Sequence, residues 1–272
     1  MPELPEVEVI KNVIKPFLKG KIINYSIIRT KKLRYMIPIN IFKIKNQKIL
    51  DVKRRGRYII IILFKNTIII HLGMTGILSI INNKNNIFYH KHDHIDLIIN
   101  NNFTLRYTDI RKFGFWLWEN KNYKKNIFLK KLGPEPLENN FNSLYLYNYT
   151  KKKNIYIKIL LMDNSIVTGI GNIYANESLF LSKISPFRIS NTLNIKEITI
   201  LTRNIKSILY RSIKYGGSTI SNYKLPNHNI GNFSQYFLVY GRKNKLCKIC
   251  KTQIIRKIQR NRSTFFCCKC QK

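Results

Sequence analysis

The sequence predicts an α+β, multidomain chain: one N-terminal helix leading into a β-sandwich or barrel, then a helical domain, then a small cysteine module. Three observations predict this. Short β-branched and aromatic runs separated by Gly or Asn fill positions 48–118. After LGPEPL, at 132–137, the apolar period lengthens to three and four residues. All five cysteines fall between Cys247 and Cys270, so they cannot staple the rest of the chain. The length of 272 residues suits one large or two medium domains.

The first element is a helix. Val7, Ile10, Ile14 and Phe17 recur at helical spacing from Pro5, which suits a first turn, and Pro16 is expected to end it. Glu3, Glu6 and Glu8 lie where a helix N-terminus favours negative charge. Strands are expected at 48–64, 67–72, 77–81, 94–99, 103–107 and 115–118, with a polar loop at 82–86. LGPEPL reads as a linker. Helices are expected at 155–162, 172–184 and 195–215, the last with a buried stripe of Ile198, Leu201, Ile205, Ile208, Leu209 and Ser212 and a stop at Gly216-Gly217. A polar loop follows from Ser218, long enough to be functional, and 233–240 is an apolar bridge. The expected division is 1–133, 134–237 (with loop 218–231) and 238–272.

Composition narrows the function. Lys+Arg number 49 against 13 Asp+Glu, a net charge of +36 and a pI of about 10.2. That is the footprint of a polyanion binder first and of a membrane-surface protein second. Lys, Asn and Ile are heavy throughout, as drift in an AT-rich genome produces. Drift does not explain three acids in the first eight positions. A hydrophobic fraction of 44% excludes a wholly disordered basic tail. No apolar run approaches the roughly 20 residues of a membrane helix. MPELPEVEVIKN opens with acids, so no secretion signal is expected.

Cys247-Lys-Ile-Cys250 and Cys267-Cys-Lys-Cys270 form two C-x2-C pairs sixteen residues apart. Four thiolates at that spacing can close a tetrahedral shell around one structural zinc. Two disulfides are the alternative, disfavoured without a secretion signal. Cys268 is expected to be a non-ligand. Between the pairs, TQIIRKIQRNRSTFF alternates as a hairpin does, with Arg260 and Arg262 near its tip as phosphate contacts.

MPELPEVE, HLGMTG, KHDHIDL, RYTDIRKFG, LGPEPL, GIGNIYANESL and the four-cysteine finger, in this order over essentially the whole chain, resemble bacterial formamidopyrimidine-DNA glycosylases. The resemblance implies an N-terminal β-sandwich, a helix–two-turn–helix domain and a zinc finger. It also implies excision of oxidised purines such as 8-oxoguanine from double-stranded DNA, cleavage at abasic sites, and work as a monomer in the bacterial cytoplasm, without a membrane.

It implies residue roles that suit the chemistry. Removal of Met1 would free Pro2, whose α-amino group belongs to a class titrating near pKa ~7.7–8.0. A secondary amine attacking C1′ leaves an iminium with no N–H proton to lose, an electron sink for β- and δ-elimination. Glu3 would open the sugar ring and Glu6 would hold position or shuttle protons. Base flipping leaves a hole, to be filled by Met74, Arg111 and Phe113; on residue type alone, Met74 and Phe113 read as core. His92, Arg111, Lys152, Asn172 and Arg260 would bind DNA, and Ser218 and Thr219 would face the lesion. Arg57 stands where the resemblance implies a Lys that donates a proton in β-elimination, and Arg releases a proton reluctantly. Arg262 matches the δ-elimination donor. The alternatives are an endonuclease VIII type acting on oxidised pyrimidines, a degenerate DNA- or RNA-binding protein, and a ribosome-associated zinc ribbon.

Overall fold

The computed structural model describes residues 1–84, 88–120, 122–218 and 231–272. Contacts divide the chain into two compact units, Met1–Lys130 with Ser218–Gly231, and Lys131–Gly217 with Asn232–Lys272. The cysteine module thus groups with the helices, and Ser218 with the first unit; the three-part division of the sequence is a separate, functional proposal.

In the first unit, α1 (Leu4–Leu18) starts at a capping box: the Glu3 N–H donates to Glu6 Oε2 at 2.9 Å while the Glu3 side chain accepts the N–H of Glu6. Leu4, Val7, Ile10, Ile14 and Leu18 are its buried stripe. Phe17 lies beside it, edge-on to Phe103 at 5.3 Å. Pro16 does not end the helix, which runs two residues further. Pro16 sits on the exposed side, so the hydrogen bond it cannot donate is lost where water replaces it.

Eight antiparallel strands follow: β1 (Ile22–Ile28), then the short α2 (Ile39–Phe42), then β2 (Lys45–Arg55), β3 (Tyr58–Leu63), β4 (Asn66–His71), β5 (Gly76–Asn82), β6 (Asp93–Ile99), β7 (Phe103–Asp109) and β8 (Phe115–Asn120). The expected single run 48–64 is two strands, because Gly56 takes φ 55° and turns the chain. The order is β5-β7-β6-β1-β2-β3-β4-β8. The β1–β2 pair joins two four-stranded halves whose inward side chains, with the α1 stripe, make one core. This is a β-sandwich. Arg106, buried on β7, faces Asp96 across the β6 ladder at 2.8 Å and Asp93 at 3.1 Å, on the face opposite the Leu105 and Tyr107 core side chains, so these buried charges are paired. The α3 helix (Ile127–Lys130) ends the unit.

His71, at the end of β4, is stacked on Phe115 with centroids 5.1 Å apart. Burial, with the Arg57 and Arg34 charges, lowers its pKa to about 4. Its Nδ1 accepts the Gly73 N–H at 3.1 Å, which requires the neutral ring.

In the second unit, α4 (Ser143–Lys151) is capped by Asn142, whose side chain accepts the Tyr145 N–H. It is followed by α5 (Ile157–Leu161), α6 (Asn172–Leu181) and α7 (Ile195–Lys214). The α6 helix stops short of the expected Ile184 because Lys183 turns left-handed at φ 58°. The Asn194–Glu197 capping box starts α7, whose buried residues include the expected stripe. The hairpin β9 (Ile255–Gln259) and β10 (Arg262–Phe266) closes the chain. Glu177, buried on α6, holds the chain entering the cysteine module: Oε2 accepts Leu238 N–H at 2.9 Å, and Oε1 accepts Val239 N–H at 2.9 Å and Tyr240 N–H at 2.7 Å. Among the described residues, no helix is long and apolar enough to cross a membrane.

Two outcomes follow. Glu177→Ala strands three N–H groups, at about 1–3 kcal/mol for each buried one, so urea denaturation should show a loss of about 3 kcal/mol or more; under 1 kcal/mol contradicts the anchor. For His71, an unfolded ring protonates near pH 6.5 and the folded one only near 4. Its contribution is therefore full above pH 6.5 and lost as pH falls toward 4. Thermal melts of His71→Phe should flatten that slope between pH 6.5 and 5; an unchanged slope contradicts the assignment.

Candidate functional site

The acid-rich amino terminus folds into one buried cluster. Pro2, Glu3 and Glu6 are all buried at the start of α1. Glu6 faces two ways: Oε2 takes the Glu3 N–H, while Oε1 takes both the Ser218 N–H at 2.9 Å and the Ser218 hydroxyl at 2.8 Å. Ser218, expected at the lesion, is thus a buried partner of Glu6. Thr219 and most of loop 218–231 lie outside the described residues. Glu8 has a different job. Burial pushes its carboxyl up, but Lys11 at 2.6 Å and Arg54 at 2.7 Å outweigh it and hold it below the ordinary carboxylate range. Arg57 follows the Gly56 turn and brings Nη1 to 3.7 Å from Met1 Sδ, beside the amino terminus.

Met74, Arg111 and Phe113 come from two turns and meet. Arg111 Nη1 lies 3.5 Å from Met74 Sδ, and its Cζ stands 4.4 Å from the Phe113 ring centroid. Met74 is 42% exposed and Phe113 43%. Residue type alone reads these two as core, and exposure overturns that reading. Exposed apolar side chains gathered around a cation suit insertion between bases. His92, half-buried, precedes β6 and accepts the Asp109 N–H through its carbonyl at 3.0 Å.

In the second unit, Lys152 is exposed at the end of α4. Asn172 is the first residue of α6, with Gly171 as the cap. Its side-chain amide donates to Ser263 O at 2.9 Å, so it holds the hairpin. Lys158 joins it, donating to Thr264 Oγ1 at 2.7 Å and Ser263 O at 3.2 Å. Sequence reasoning missed Lys158; the signal was a single cation inside the apolar run IYIKILL. The hairpin tip is a two-residue turn with Arg260 at φ 42° and Asn261 at φ 60°, which leaves Arg260 and Arg262 exposed. Both line a cleft of about 290 Å³ with Lys158, Met162 and Asp163. Three cations thus share this lining with the Asp163 carboxylate and apolar side chains.

Cys247, Cys250, Cys267 and Cys270 bring their sulfurs within 4.8 Å of one another. The Cys247–Cys270 pair stands at 3.9 Å and the Cys250–Cys267 pair at 3.3 Å. Metal–sulfur bonds of about 2.3 Å in a tetrahedron put sulfurs roughly 3.8 Å apart, so the four residues fit a metal ion. Cys268 is exposed and outside the cluster.

Comparisons with known proteins agree with this architecture. The family model described as formamidopyrimidine-DNA glycosylase N-terminal domain matches residues 1–116, and the one described as formamidopyrimidine-DNA glycosylase H2TH domain matches 132–224. A formamidopyrimidine-DNA glycosylase of Escherichia coli (strain 536) is 44% identical over 272 residues, covering all of both chains. The MutM (Fpg) protein of Thermus thermophilus is similar in structure, with a TM-score of 0.88 and 32% identity over 99% of this chain and 98% of that one. A Lactococcus lactis Fpg mutant solved with Fapy-dG-containing DNA gives a TM-score of 0.92 at 31% identity, covering both chains fully. Lactococcus lactis Fpg solved with DNA containing an abasic site gives 0.90 at 30%, covering 99% of each. On two domain matches and full-length identity above 40%, this chain belongs to the formamidopyrimidine-DNA glycosylase family.

Proposed function

We propose that this chain removes oxidised purines from double-stranded DNA and then cuts the strand at the resulting abasic site, with Pro2 as nucleophile. The observation that carries the reading is the buried Pro2–Glu3–Glu6 cluster at the head of α1, beside Arg57. Family membership and relatives solved with Fapy-dG and abasic DNA support the same substrates.

In this reading Met1 is removed and the Pro2 nitrogen attacks C1′. The glycosidic bond breaks and the base leaves with a proton. Glu3, adjacent to Pro2 and buried, protonates the ring oxygen as the sugar opens. The iminium holds the positive charge; the C2′ proton is lost and the 3′ phosphate departs, and then the C4′ proton is lost and the 5′ phosphate departs. The chain regains its amine when water releases the sugar remnant. Glu6 aligns Glu3 and Ser218. Met74, Arg111 and Phe113 fill the gap left by the flipped nucleotide. His92, Lys152, Arg260 and Arg262 meet phosphates, and Asn172 with Lys158 holds the hairpin that carries the two arginines. We assign zinc to the four thiolates: it is redox-inert and favours tetrahedral sulfur. We further infer a monomer working in the bacterial cytoplasm, a reading supported by a DNA substrate and by the reducing conditions that four thiolate ligands require.

Three outcomes test this. Borohydride added to the protein with a duplex carrying 8-oxoguanine opposite cytosine should trap a covalent adduct, and Pro2→Gly should reduce trapping at least tenfold; no adduct from the natural protein leaves only DNA binding. Arg57→Lys should raise the ratio of strand cleavage to base release several-fold; an equal ratio means Arg57 does no proton transfer. Atomic absorption should find one zinc per chain, and Cys247→Ser should lose both the metal and strand nicking; full nicking without metal contradicts a finger role.

A further inference from the structure

Two exposed turns carry the three wedge candidates. One, after β4, bears Met74; the other, after β7, bears Arg111 and Phe113. A single buried carboxylate joins them. Asp109, the last residue of β7, is 0% exposed. Its Oδ1 accepts the Thr75 hydroxyl at 2.5 Å, from the first turn, and the Arg111 N–H at 3.3 Å, from the second. Its Oδ2 accepts the Gly114 N–H at 2.8 Å and the Tyr107 hydroxyl at 3.0 Å. The Thr75 oxygen also accepts the Arg111 N–H at 3.1 Å, which closes the link between the turns.

The glycines show how closely the turns approach. A Cβ on Gly73 would lie 2.4 Å from both Phe113 C and Gly114 N, and one on Gly114 would lie 1.8 Å from the Tyr107 hydroxyl oxygen. Gly73 also takes φ 63°, a left-handed value. The two turns are therefore packed backbone to backbone and bonded through Asp109. Four donors converge on two carboxylate oxygens, and nothing in the proposed chemistry uses this acid.

We propose that Asp109 is the positioning residue of the wedge: it locks the Met74 turn to the Arg111–Phe113 turn, so that the three side chains enter the helix as one preformed plug. This rests on the wedge reading above. Flipping a base costs the energy of unstacking it, and a loop that must order itself on the DNA adds its own entropic cost. A prelocked pair of turns avoids that second cost. It also fixes the direction of the Arg111 guanidinium, and with it the preference for the orphaned base.

The test compares Asp109→Asn, which keeps shape but turns one acceptor into a donor, with Thr75→Ala, which breaks the inter-turn bond and leaves the carboxylate in place. Base excision is measured on duplexes with 8-oxoguanine opposite cytosine and opposite adenine. Borohydride trapping is measured on a single-stranded abasic oligonucleotide, which needs no wedge. For Asp109→Asn the ratio of duplex excision to single-strand trapping should fall at least tenfold and the cytosine-over-adenine preference at least threefold, with Thr75→Ala falling in the same direction but less. A merely structural role would lower both activities together and leave both ratios unmoved. Ratios within twofold of the natural protein in both variants overturn the proposal, and if Asp109→Asn does not fold, Thr75→Ala decides alone. A natural protein that traps no abasic strand sinks the glycosylase reading, and this proposal with it; one that traps and excises while its variants keep its ratios sinks this proposal alone.

Discussion

A carboxylate withdrawn from water must be met by donors, and that requirement organises this protein. The chain has only 13 acidic residues, and seven of them (Glu3, Glu6, Asp93, Asp96, Asp109, Glu135 and Glu177) are buried. More than half of the acids in so basic a sequence are therefore buried within the fold. Glu3 and Glu6 close the head of α1, Asp96 and Asp93 pair Arg106 on the outer face of the β6–β7 ladder, Asp109 ties two turns, and Glu177 holds the entry to the cysteine module. Losing any one partner leaves a buried charge or stranded N–H groups, a penalty of several kcal/mol. Surface acids carry no such penalty, so a drifting composition can erase them. The +36 charge suits a partner that is itself a polyanion.

The same constraint explains how a flexible amino terminus becomes a reactive centre. A terminal residue is ordinarily loose. Here the capping box fixes Glu3, the Ser218 bond anchors Glu6, and Pro5 sits in the first helical turn. The nucleophile proposed at Pro2 thereby inherits the rigidity of a fifteen-residue helix packed into the sandwich core. The finger is organised alike: Asn172 and Lys158 fix the hairpin, so Arg262 is presented by a scaffold.

Elements with a strong burial contrast were legible in the sequence. The α1 and α7 stripes, the apolar runs of β3 and β4 and the paired cysteines all carry a period or a spacing that marks the element type. β1 was not legible, because only Ile23 is fully buried while Ile22, Tyr25 and Ile27 are exposed, which leaves no inward face to detect. α4 escaped for a similar reason: SLYLYNYTK buries only Leu146 and Thr150. The end of α1 was misjudged because a proline is tolerated on an exposed last turn. Of the site, the motif residues could be named, but the partner of each could not. Glu6 meets Ser218 across 212 positions, and Asp109 takes a donor from Thr75, 34 positions away, beside those of its own stretch.

Everything chemical turns on which nitrogen joins the sugar. Peptide mapping by mass spectrometry of the reduced protein–DNA adduct answers this directly. The account requires the deoxyribose remnant on the peptide that begins at Pro2, with Met1 gone. A remnant on a lysine peptide, or a covalent adduct on chains that keep Met1, contradicts it.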